Sequence, residues 1–80
     1  MSNNAFNGAV LVLTDASNAQ EIADRVAAGY FPESEYHYRI TESTPKHLPE
    51  KLSNSIDAEL EFAPAGSVVL TVYPFAGSSL

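Results

Sequence analysis

Two histidines, ten acids and a group of tyrosines are the residues in this chain whose types could do chemistry. His37 and His47 would serve as an acid/base pair or as two metal ligands, since imidazole carries protons near neutral pH and binds metals when neutral. They stand ten residues apart, with no H-x-x-x-H spacing and no carboxylate triad beside them. A serine nucleophile needs a strained elbow of the G-x-S-x-G kind, and the serines here gather instead at predicted helix caps and in the tail. The chain has no cysteine, which removes disulfides and thiolate-held zinc or iron–sulfur centres. These residues predict a protein that is not an enzyme and holds no cofactor and no metal.

The acids and aromatics remain. Asp15 falls where the first predicted strand runs into the first predicted helix, the place where open α/β sheets bind ligands and helix ends attract anions. The loop 14–18 lacks the glycine a phosphate cradle needs, so Asp15 is expected to complement the helix dipole while Ser17 or Asn18 caps. Glu33 and Glu35 read as a solvated turn, with nothing apolar beside them to raise a carboxyl pKa. Tyr30, Phe31, Tyr36 and Tyr38 put half of the chain's eight aromatics into nine residues. Tyrosine-rich surface anchors protein interfaces, although Tyr36 and Tyr38 would also suit a core.

The elements that must position these residues follow from apolar spacing. Ala9 to Leu13 is an unbroken apolar run of five, short enough for a strand and continuous enough for burial on both faces, hence a central place in the sheet. Ala19, Ile22, Ala23, Val26 and Ala27 recur at i, i+3, i+4, i+7 and i+8, which is one stripe on a helix. Gly29 suits the position just past that helix, followed by Tyr30. Tyr36, Tyr38 and Ile40 alternate with polar residues and predict a second strand. Leu48, Leu52 and Ile56 predict a short helix starting near Lys46 or Pro49. Ala58, Leu60 and Phe62 alternate with Glu59 and Glu61, predicting a third strand with a carboxylate face at a sheet edge. A Pro64-Ala65-Gly66 turn then leads to a fourth strand at 68–73. The expected fold is a single α/β domain, β-α-β-α-β-β, a two-layer α+β sandwich. It pairs a mixed four-stranded sheet, strands one and four central, with two helices on one face. Loose tails are expected at 1–7 and 76–80.

Charge bounds the partners. Ten acids against four bases leave −6 over 80 residues, too few cations for direct nucleic-acid binding or for an anionic membrane surface. No apolar run approaches the roughly 20 residues of a membrane span, and the N-terminus lacks a signal-peptide pattern, so a cytoplasmic protein is expected. The excess is unevenly placed. Residues 1–24 and 52–80 each carry three acids and no base, while 25–51 carry four of each. If the flanking segments pair in one sheet, the charge gathers on one side of the fold.

The run 9–14 with the helix at 22–29 resembles the opening strand and helix of ferredoxin-like regulators, the CutA-like proteins among them, which implies a small-molecule or metal-sensing oligomer. None of that family's cysteine or histidine ligands occurs here, and the match covers about a quarter of the chain. In profile the chain is similar to small acidic phage-encoded inhibitors of the anti-CRISPR type. The likeness rests on the acids Asp15, Glu21, Asp24, Asp57, Glu59 and Glu61, and implies occlusion of a basic nucleic-acid-handling surface on a host complex. The expected function is therefore protein binding by a monomer or small homo-oligomer. Those six acids would meet a basic protein surface, with Tyr30, Tyr36 or Tyr38 as anchor.

Overall fold

The computed structural model describes residues 8–74. Along them run strand β1 (Ala9–Leu13), a 3₁₀ turn (Ala16–Asn18), helix α1 (Ala19–Tyr30), strand β2 (Tyr36–Thr41), helix α2 (Glu50–Phe62) and strand β3 (Val68–Pro74). The last strand to form in sequence lies in the middle: the sheet order is β1-β3-β2, with both outer strands antiparallel to β3. β1 and β2 thus run parallel to each other on either side of β3. Among the described residues the molecule is an α+β fold of two helices and a three-stranded antiparallel sheet, not the mixed four-stranded sheet the pattern predicted.

The third predicted strand is helix. Residues 58–62 complete α2, whose apolar row is Leu52, Ile56 and Leu60, with Leu48 in the bend just before the helix. Alanine, glutamate and leucine are strong helix formers, and 57–62 contains no β-branched residue to oppose them. Pro49 precedes the first turn, where its missing N–H costs nothing, and its carbonyl accepts from Ser53 N at 2.8 Å. The glycine turn survives but joins α2 to β3, not strand to strand. Gly66 takes φ 91°, a left-handed conformation glycine adopts without penalty, while Ser67 N donates to the Pro64 carbonyl at 3.2 Å.

Two cores lie on opposite faces of the sheet, because successive strand residues point to opposite sides. On one face Leu13, Leu70 and Val72 pack under Ala19, Ala23 and Ala27 of α1, flanked by Leu11, Ile22, Val26, Tyr36 and Tyr38. On the other, Val69 packs with Leu48 and Ile56, flanked by Val10, Val12, Leu52 and Leu60. The helices therefore cover both faces, not one as expected. This also corrects the reading of β1. Its continuous apolar run does mean burial on both faces, yet it is an edge strand, because each face of that edge has its own helix. β3 alone is central, and Val69, Leu70, Thr71 and Val72 are its fully enclosed residues.

The end of α1 differs too. The helix runs through Gly29 to Tyr30, and Phe31 N closes it by donating to the Ala27 carbonyl at 2.9 Å. The loose tails expected at 1–7 and 76–80 lie outside the described residues.

Candidate protein-binding surface

α2 carries its acids on two sides. At 100° per residue, Glu50, Asp57 and Glu61 share one outward stripe, whereas Glu59 follows Leu52 at i+7 on the other flank. All four are exposed. Thr44 in the loop before α2 donates its hydroxyl to the Asp57 carboxylate and so orients the middle acid of the stripe. Among the described residues no cation lies within salt-bridge distance of these four carboxylates, the ion pair that forms being Arg25–Glu21 at 3.4 Å on α1.

The acids of the first third lie elsewhere. Asp15 accepts from Ser17 N at 3.0 Å and caps the 3₁₀ turn, while Asn18 holds the N-cap position of α1 without a side-chain cap bond. That backbone donor holds its carboxyl below the ordinary aspartate range. Glu21 pairs with Arg25, and Asp24 accepts from the Tyr36 hydroxyl at 3.1 Å. Burial, and then this bond to Asp24, push the Tyr36 phenol above its ordinary value. Glu21 and Asp24 ride on α1, Asp57, Glu59 and Glu61 on α2. The sheet stands between them, and the acids are not gathered on one side.

The aromatic group divides as well. Tyr36 and Tyr38 pack against the α1 core, and Phe31 meets Tyr30 edge-on at 6.5 Å. Tyr30 is 72% exposed and is the member of the expected set left to anchor a partner. Phe62, which the alternation placed on the apolar face of the third predicted strand, instead ends α2 and is 85% exposed.

A grouping the sequence did not signal forms around Tyr73. The register sets His37 beside Tyr73 across β2 and β3, their rings stacked at 4.9 Å. His47 stacks on the same ring at 5.8 Å, and its Nε2 is hydrogen-bonded to the Tyr73 hydroxyl at 2.9 Å. Ten residues apart in sequence, the histidines meet through a tyrosine 26 residues further along. Among the described residues no group of three or more His, Cys, Asp or Glu could hold a metal. No helix among those residues is long and apolar enough to cross a membrane.

Comparison with protein-family models, curated proteins and solved structures finds no match to this chain. Function has to be argued from the geometry.

Proposed function

We propose that the protein is a non-enzymatic binding module that docks α2 on a basic protein surface and occludes it, the kind of surface that handles nucleic acid. The observation that carries this reading is the exposed stripe Glu50, Asp57 and Glu61 on one rigid helix, with no cation of the described residues neutralising it. Like charges four residues apart, as at Asp57 and Glu61, cost a helix stability. A partner's lysines or arginines would repay that cost, and the field of the stripe would speed encounter and select against acidic surfaces. Asp15 lies before the 3₁₀ turn and Glu21 and Asp24 ride on α1, across the sheet from α2, so the working set narrows to the α2 acids.

Glu50→Lys/Asp57→Lys/Glu61→Lys tests the reading. Host-cell protein captured on the immobilised chain should include a basic species that is lost with this variant and at high ionic strength, and kept by Glu21→Lys on α1. Capture that ignores the triple reversal would refute the role of the stripe.

A further inference from the structure

Among the described residues β1 is an edge strand without a charge, a proline or a bulge. Natural sheets blunt their edges with charges, prolines or bulges, because the unpaired N–H and C=O groups of an edge invite another strand. The opposite edge obeys this rule: β2 carries exposed His37 and Arg39. β1 reads Ala-Val-Leu-Val-Leu and, among the described residues, pairs on one side only. Beside its open side lies a groove of about 270 Å³ lined by Gly8, Ala9, Val10, Leu11, Val26, Tyr30 and Leu52. Both helices thus give this edge an apolar residue, and no charged residue lines the groove.

We infer that β1 pairs with β1 of a second copy of this chain, antiparallel about a twofold axis near Leu11, to give one continuous six-stranded sheet. The strand is self-complementary in that register. Ala9 would face the partner's Leu13, and Val10 the partner's Val12, so every residue keeps its own face of the sheet. Charge favours the same occupant. Lys51, Ser55 and Glu59 are spaced i, i+4 and i+8, one row on the flank of α2 beside the groove residue Leu52. The twofold axis sets the two α2 helices antiparallel. With Ser55 at the crossing, Lys51 of each copy falls opposite Glu59 of the other. Two copies of a chain with charge −6 then meet along an uncharged strand flanked by two opposite-charge pairs. The acid stripe Glu50, Asp57, Glu61 lies on the other flank of α2 and stays free, so this inference does not depend on the proposed function.

Sedimentation velocity and light scattering on the full chain over a range of concentrations test it. A species of twice the 8.6 kDa chain mass is expected, with concentration-dependent protection of the β1 amides in hydrogen exchange. Lys51→Glu should weaken dimerisation about tenfold, since each pair becomes a repulsion and the axis doubles the effect. The charge swap Lys51→Glu/Glu59→Lys should restore it. Both positions are exposed, and circular dichroism checks that the fold is kept. A monomer at every concentration overturns the inference, including one whose β1 amides are protected by another part of its own chain. A dimer indifferent to Lys51→Glu, or not rescued by the swap, overturns it equally.

Discussion

At the scale of single residues, Thr71 shows the cost of a polar group in the wrong medium. It lies on the central strand between Val10 of β1 and Arg39 of β2, fully enclosed, and its hydroxyl finds no hydrogen-bond partner among the described residues. A buried hydroxyl left unpaired forfeits its bonds to water without replacement. Thr71→Val keeps the β-branch and removes the hydroxyl, and should raise unfolding stability by about 1 kcal/mol in urea titrations. Asp15 offers the converse case, a polar group whose bond is made. Its carboxyl is held below the ordinary range by the Ser17 N–H, so the folded state favours the ionised form. That contribution is fully present above the unfolded-state pKa and is lost as pH falls through the lower folded-state value. Asp15→Asn retains an acceptor for Ser17 N without the ionisation. Acid unfolding curves should show the variant less stable than wild type at neutral pH, with the two converging as pH falls through the folded-state pKa of Asp15.

At the scale of elements, the helix α1 and the strands β1, β2 and β3 were legible because each has a single period. Ala19, Ala23 and Ala27 fit only a helix face, and Tyr36, His37, Tyr38, Arg39 only a half-exposed strand. The second half of α2 has two periods at once. Ala58, Leu60 and Phe62 alternate as a strand would, while Leu52, Ile56 and Leu60 keep helical spacing. Leu60 as the fourth member of the row begun by Leu48, with Glu59 and Glu61 as good helix formers, was the signal that decided it. The two assignments predict different mutants. On a strand sharing its apolar face with Leu60, Ala58 would point inward, whereas on α2 it is exposed. Ala58→Lys should therefore change stability by no more than about 0.5 kcal/mol, while Ile56→Ala, which opens a cavity over Val69, should cost about 2–5 kcal/mol. Strand order was not legible at all, because an apolar run reports which faces are covered and says nothing of how many neighbours a strand has. The meeting of His37, His47 and Tyr73 was hidden for a related reason. It depends on the register of β2 against β3 and on where the loop before α2 returns, and neither is written in local spacing.

At the scale of the whole molecule, the sheet converts one bulk charge into two separate fields. Segments 1–24 and 52–80 each contribute −3, but α1 and α2 pack on opposite faces. A helix on each side of a sheet puts their outer surfaces well beyond the screening length of about 8 Å at physiological ionic strength. A partner approaching one face therefore meets that face's charge and little of the other's. The faces also differ in how that charge is held. On α1, Glu21 has Arg25 and Asp24 has Tyr36, while on α2 Asp57 and Glu61 stand four residues apart with no cation of the described residues beside them. Replacing one member of that like-charged pair by its opposite should stabilise the helix. Glu61→Lys is expected to raise unfolding stability by about 0.5 kcal/mol at low ionic strength, the gain fading as salt is added. If the stripe exists to meet a basic partner, the same substitution must weaken capture of that partner, so stability and binding move in opposite directions. Glu21→Lys on the far face breaks its pair with Arg25, and should lower stability slightly while leaving capture unchanged. Thermal melts at two salt concentrations, run beside capture with both variants, separate these outcomes. A Glu61→Lys protein that is more stable and still binds would show that the acids of α2 serve solubility alone.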